Sequence, residues 1–260
     1  MSDGRWSDLA ARVASALALV IVGGVEIWLG GIWFSVLVAI ICGAMIWELA
    51  RMLAPEQTAI PVQLGLLAGG ALLVSGLLPP MFLLPVALAP AIVGTTMMTQ
   101  RKSVFFGFAI WIILSGLAFI WLREGQGMLW LLWVICVVVA TDVAGYFAGK
   151  TIGGPKFWPA VSPKKTWSGT AAGWVAAALV GLLFMGWLNA GFGLVVVSAL
   201  ASFASQAGDI MESALKRRVG VKDSSNLIPG HGGFMDRFDG MMGAAVLVLV
   251  LSLFYSVGGN

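Results

Sequence analysis

The chain has 260 residues, of which 60% are hydrophobic and only 10% charged, with a net charge of +3 and a mean hydropathy of +0.97. A soluble domain carries about 25% charged residues, so an ordinary water-soluble globule is excluded and no nucleic-acid partner is expected. No charge occurs in 57–100, 168–208 or 241–260, and about 20 apolar residues span a bilayer as a helix. Only helices or a closed barrel can cross a membrane with every backbone group satisfied. Continuous apolar runs without period-2 alternation choose helices, so the expected fold is all-α and polytopic, built as a single domain.

The first residues do not read as a cleaved signal peptide, because Asp3 and Asp8 flank Arg5 and no clear cleavage site follows. Residues 6–13 suit a short amphipathic helix at the interface. Nine spans are expected at 12–29, 31–50, 60–78, 81–99, 104–122, 128–148, 168–188, 191–214 and 240–258. Glu26 and Glu48 blur the first two, Pro79 and Pro80 part the third from the fourth, and Pro85 and Pro90 interrupt the fourth. Cys42 and Cys136 lie within apolar runs and read as packing residues, with no disulfide or metal spacing between them. With the N-terminus in the cytoplasm and the spans alternating, every Lys and Arg except Arg123 falls on the cytoplasmic side. This obeys the positive-inside rule and predicts an N-in, C-out chain. Two cytoplasmic segments are long, 149–167 and 215–240, and function is expected where they meet the membrane.

Asp142 stands about two turns inside the sixth span. A carboxylate there costs roughly 2.5–3.5 kcal/mol on insertion scales, so it faces protein or water, as a functional acid or as a structural hydrogen-bond partner of a neighbouring helix. In the following segment, "SPKKT" lets Ser162 cap the seventh helix, with Pro163 at its first position and Lys164 and Lys165 in its first turn. Free amides and two ammoniums suit a phosphorylated ligand. Ordinary positive flanking of a cytoplasmic end explains the lysines equally well. In the eighth span Asp209 and Glu212 share a face. An i,i+4 salt bridge to Lys216 explains Glu212 but leaves Asp209 unexplained. The stretch "KDSSNLIPGHGGFMDRFDG" follows, with the only histidine, His231, glycines that let backbone N–H groups approach phosphate, and Asp236 and Asp239 opening the ninth helix. Dipole capping alone accounts for acids at a helix start. The cluster of Asp142, Asp209, Asp236 and Asp239 argues for more. Carboxylates without histidine or thiolate partners suit Mg²⁺, and the surrounding Lys and Arg suit several phosphates. Together these are the parts of phosphoryl or nucleotidyl transfer.

The run "SALKRRVGVKDSSNLIPGHGGFMDRFD", Ser213 to Asp239, resembles the signature of the phosphatidate cytidylyltransferases, also called CDP-diacylglycerol synthases. "ATDVAGYFAGK" and "SPKKTWSG" resemble that family's more N-terminal blocks, with Ser168 where an acidic residue is common in the family. The resemblance is specific from about Thr141 to Asp239 and implies an all-helical membrane enzyme, commonly a homodimer. Its reaction would convert CTP and phosphatidic acid to CDP-diacylglycerol and pyrophosphate with Mg²⁺, alone or beside a second cation. It implies that Asp209, Asp236 and Asp239 are the metal acids, and that Lys216, Arg217, Lys222, His231 and Arg237 contact phosphate or substrate. Lys216 and Arg237 join the three acids as catalytic candidates. Ser162, Lys164, Lys165 and Thr166 would help hold a substrate, together with Asp223, Gly232 and Gly233 of the signature and Asp142. A bacterial cytoplasmic membrane is the expected location. The alternatives are a CTP-dependent polyprenol or dolichol kinase, a cytidylyltransferase for an ether lipid, and a transporter with a cation site. Acids gathered toward one face, with no charge across 168–208, count against transport.

Overall fold

The computed structural model describes the backbone of residues 3–257 and the side chains of residues 13–254. Among these residues the chain forms α1 (Asp3–Leu29), α2 (Gly31–Leu53), α3 (Ala59–Ser75), α4 (Pro80–Met97), α5 (Lys102–Ile120), α6 (Met128–Thr151), α7 (Trp167–Trp187), α8 (Gly193–Val219) and α9 (Met235–Val257). A π-helical turn, Trp121–Gln126, prolongs α5. Seven helices are long and apolar enough to cross a membrane, while Val13–Leu29 and Ala59–Ser75 are shorter apolar helices. Each expected span therefore coincides with a helix, and seven of these helices are long and apolar enough for a crossing among the residues whose side chains are described.

The breaks follow local chemistry. Gly30 and Gly31 adopt φ of 63° and 58°, a region open to glycine, and this turns α1 into α2. Pro80 occupies the first turn of α4, where its missing N–H costs nothing. That helix continues through Pro85 and Pro90, as membrane helices tolerate. Residues 6–13 belong to the unbroken α1; side chains up to residue 12 lie outside the described residues, so the amphipathic expectation there does too.

One correction concerns the segment before α7. Ser162 does not cap a helix and Lys164 and Lys165 do not lie in a first helical turn. Residues Lys156–Trp158 (β1) and Ser162–Thr166 (β2) pair as an antiparallel hairpin, a small exception to the all-α expectation. The helix starts later, with Thr166 as its N-cap: the Thr166 hydroxyl accepts from Gly169 N at 3.2 Å. Pro163 fits an edge strand as readily as a helix start, and Thr166 is itself a good cap, so "SPKKT" alone did not decide between them.

The chain divides into two compact units. The first comprises residues up to Ile120 together with Arg218–Phe238; the second comprises Trp121–Arg217 and residues from Asp239 onward. In the first, α2 packs on α3 and α5, and α4 on α3 and α5. Gly43 and Gly65 bring α2 and α3 together so closely that a Cβ on either would come within 2.7 Å of the other's carbonyl oxygen. In the second, Gly145 and Gly169 allow the same approach of α6 and α7, where a Cβ at Gly169 would stand 2.5 Å from the Gly145 oxygen. Small residues at such crossings let dispersion and interhelical hydrogen bonds replace the hydrophobic effect, which is weak between helices in lipid. Thr141 Oγ1 donates to Ser202 Oγ at 2.8 Å, Trp133 Nε1 to Ser198 Oγ at 2.9 Å, and Gln206 Nε2 to the Thr170 carbonyl at 3.2 Å. These bonds tie α8 to α6 and α7 beside the acids that follow.

Candidate active site

In the second unit, α6 contributes Asp142, α8 contributes Asp209 and α9 contributes Asp239. The Asp239 carboxylate feels the charges of Asp209, Lys216 and Asp142, and that of Asp142 feels Asp209 and Lys165. Three acids from three helices thus share one electrostatic neighbourhood. Lys165, at the end of β2, places Nζ 2.5 Å from Asp209 Oδ2, and Ser213 Oγ donates to Asp209 Oδ1 at 3.2 Å. Lys216 places Nζ 2.7 Å from the fully buried Glu212, the expected i,i+4 pair. Asp239 is half-buried and accepts from Gly240 N at 2.7 Å. At Gly240 a Cβ would stand 2.7 Å from Ser205 Oγ of α8, so glycine there lets the base of Asp239 approach that helix.

Two hydroxyls hold the hairpin to the start of α7. Thr166 Oγ1 lies 3.0 Å from Ser168 Oγ, and the Ser168 hydroxyl bonds the Gly153 carbonyl at 2.5 Å. Ser168, the position where the resembling family commonly has an acid, therefore closes the loop that carries Lys165. The Thr166 hydroxyl is spent on the α7 cap and Ser168. Lys164 is exposed and Ser162 half-buried.

In the first unit, the expected phosphate loop folds back on itself. Ile228 N donates to Gly232 O at 2.8 Å and His231 N to Ile228 O at 2.9 Å, forming a tight turn with Gly230 and Gly232 at φ of 74° and 82°. His231 Nδ1 lies 3.0 Å from Ser15 Oγ, which also donates to the Pro229 carbonyl at 2.9 Å. Arg237 Nε donates to the His231 carbonyl at 2.8 Å. Lys222, Asp223, Arg217 and Arg237 are exposed. Asp236 accepts from Ser224 N at 2.9 Å, Ser224 Oγ at 2.8 Å and Gly233 N at 2.8 Å, which knits the loop to the first turn of α9. A Cβ at Gly232 would come within 2.7 Å of Asp236 Oδ2. The capping account of Asp236 therefore describes what its oxygens do here.

Sequence reasoning treated Glu48 only as a charge that blurs the second span. It is fully buried and accepts from Ser225 Oγ at 2.6 Å, Phe234 N at 2.9 Å, Met235 N at 2.8 Å and Ser224 Oγ at 3.3 Å. The signal was present: an ionisable residue inside a membrane helix is a functional candidate by default. Its partner lies 186 residues downstream, which no local pattern reveals.

The sequence model of the cytidylyltransferase family matches residues 10–255. The chain belongs to the cytidylyltransferase family. Among curated relatives, the phosphatidate cytidylyltransferase of Brucella suis biovar 1 (strain 1330) is 36% identical over 96% of this chain and 95% of its own length. That of Bacillus subtilis (strain 168) is 32% identical over 90% of this chain and 94% of its own length. That of Helicobacter pylori (strain J99) is 42% identical over half of each chain. The family match covers all the candidate site residues described above.

The donor set can be tested against the expected metal. Among the described residues no group of three or more His, Cys, Asp or Glu side chains is arranged so that it could hold a metal ion by itself. Mg²⁺ does not require one, because it keeps several waters and binds through one or two carboxylates together with substrate phosphates. Asp142, Asp209 and Asp239 offer hard oxygen donors whose charges act on one another, with Lys165 paired to Asp209, and one or two such carboxylates are the donor type that Mg²⁺ takes beside water and phosphate.

Proposed function

We propose that this protein transfers a cytidylyl group from CTP to phosphatidic acid, giving CDP-diacylglycerol and pyrophosphate. The observation that carries the reading is the Lys165–Asp209 pair beside Asp239 and Asp142, an ammonium and metal-type acids side by side, within a chain matched to the family over residues 10–255. Asp209 and Asp239 would hold Mg²⁺, with Asp236, one turn before Asp239 on α9, as the third expected acid. Bound Mg²⁺ would neutralise charge on the nucleotide phosphates and on departing pyrophosphate.

The nucleophile is an oxygen of the lipid phosphate monoester. Its second pKa is about 6, as for phosphorylated side chains, so it is largely ionised at pH 7 and needs no general base. A site with one histidine and no nucleophile–base pair suits that chemistry. Repulsion between two polyanions is the main obstacle, and Lys165 and Lys216 reduce it by exchanging their carboxylate partners for phosphate oxygens. Arg217, Lys222, Arg237 and Lys164 are exposed charges able to meet the nucleotide, and the Gly232–Gly233 backbone can approach its phosphates. In-line attack on the α-phosphorus then forms the new phosphoanhydride bond and expels pyrophosphate. We further propose that all nine helices cross a bacterial cytoplasmic membrane, N-in and C-out, with the site at the cytoplasmic face and the protein a homodimer. Lipid tails then remain in the bilayer while CTP arrives from water.

The test is pyrophosphate release by purified protein given CTP, phosphatidic acid and Mg²⁺, with an EDTA control. Metal-dependent pyrophosphate that needs both substrates is expected. CDP formed from a polyprenol instead would replace this reading with a kinase.

A further inference from the structure

Glu48 belongs to none of the motifs that mark the reaction, yet its carboxylate accepts from four donors of the first unit. Oε1 takes Ser225 Oγ and Phe234 N, and Oε2 takes Met235 N and Ser224 Oγ. Four donors fill the lone-pair positions of a carboxylate. Its relative exposure is 0%, so neither nucleotide nor lipid reaches it. Phe234 and Met235 are the residues at which α9 begins, and the first amides of a helix have no partner within the helix. Glu48 of α2 satisfies two of them from a distant helix. It thereby fixes where α9 starts, five residues before the expected 240. It also holds Ser224, which in turn donates to Asp236.

Gly233 gives an independent sign that this contact is built into the sequence. A Cβ there would collide with Glu48 Oε1 and Ser224 Oγ. The second glycine of "HGG" is thus the residue that lets the Glu48 carboxylate reach the loop.

We propose that Glu48 is a positioning residue for cytidylyl transfer, whose buried carboxylate sets the geometry of the loop from Ser224 to Gly233 and of the first turn of α9. This inference rests on the proposed function, since it assigns Glu48 to that reaction. Displacing a reacting group by 1 Å can cost about 100-fold in rate, so an anchor far from substrate can still control turnover.

The experiment uses the full chain in detergent, as E48Q and S225A. Gln matches Glu in size but presents an NH₂ where one oxygen stood, so at least one of the Phe234 and Met235 amides loses its acceptor. S225A removes one of the four donors to Glu48, together with the acceptor of the Leu227 amide, and leaves Glu48 in place, which keeps the test decisive if E48Q fails to fold. Per folded molecule, kcat should fall about 100-fold in E48Q and a few-fold in S225A, with KM for phosphatidic acid unchanged. Hydrogen exchange at residues 234 and 235 should quicken while the amides of α2 and α3 stay protected. Wild-type kcat in folded E48Q, or unchanged exchange at 234 and 235, overturns the proposal. So does an activity loss that only tracks the folded fraction. If the wild-type protein makes no pyrophosphate at all, the reaction is wrong, and the exchange measurement still decides whether Glu48 holds the loop.

Discussion

Asp236 and Asp239 stand one turn apart on α9, yet their carboxylates have different surroundings. Asp236 is engaged by backbone and hydroxyl donors of Ser224 and Gly233, as Glu48 is by Ser224, Ser225, Phe234 and Met235. Asp239 has one backbone donor, Gly240 N, and is otherwise set by its burial and by the charges of Asp209, Lys216 and Asp142. The difference teaches how to sort acids that look alike in sequence. A carboxylate filled by N–H and O–H donors organises a loop, and losing it leaves buried donors unpaired at about 1–3 kcal/mol each. A carboxylate held among other charges retains the capacity to take a cation. The contrast extends to the lysines, because Lys165 and Lys216 are ion-paired in the second unit, while Lys222 of the loop is exposed.

Substitutions can break this contrast. The largest effect is expected from Asp239→Asn, which keeps size and removes charge from the cluster. Pyrophosphate release should fall on the order of 10³-fold, with helix content by circular dichroism unchanged. A smaller loss in Asp239→Asn than in Asp236→Asn would invert the assignment. Next, Lys165→Ala frees Asp209 of its ammonium and removes a phosphate contact, so turnover should fall on the order of 10²-fold. Raising the Mg²⁺ concentration should not restore it, whereas full rescue by Mg²⁺ would show that Lys165 serves the metal acid alone. The smallest effect belongs to Glu56, outside both regions. The Thr99 hydroxyl, donating at 2.7 Å, holds the Glu56 carboxyl below its usual range. That contribution is present above the unfolded pKa and is lost as pH falls through the folded one. Glu56→Gln should therefore remove a slight acid sensitivity of the thermal midpoint and leave turnover unchanged; a loss of turnover would extend the site to the α2–α3 loop.

Much of the fold was legible because membrane insertion makes hydrophobicity nearly sufficient. Uncharged runs give helices, and glycines and prolines mark most of their ends. The hairpin was not legible. Ser162-Pro163 reads as a helix start, while Thr166, four residues on, competes for the same role, and only the pairing of Lys156 with Thr166 settles the choice. Among site residues, Asp142, Asp209, Asp239, Lys165 and Lys216 were legible as charges where charge is costly. Glu48 carries the same signal, but its donors lie 176 to 187 residues away, beyond any local pattern.

By itself the sequence determined a polytopic helical protein, the two polar segments, and an inventory of acids and bases suited to phosphate chemistry, since charge in an apolar chain must be justified by partners or function. The signature from Ser213 to Asp239 also named the family. Tertiary structure alone decided which acid meets which partner. Glu48 and Asp236 accept hydrogen bonds from the loop, while Asp209 pairs with Lys165 and Asp239 lies near the charges of Asp209, Lys216 and Asp142. The physical reason is that hydropathy acts residue by residue, whereas a hydrogen bond or an ion pair depends on a few ångströms between groups that the chain separates by tens to hundreds of residues.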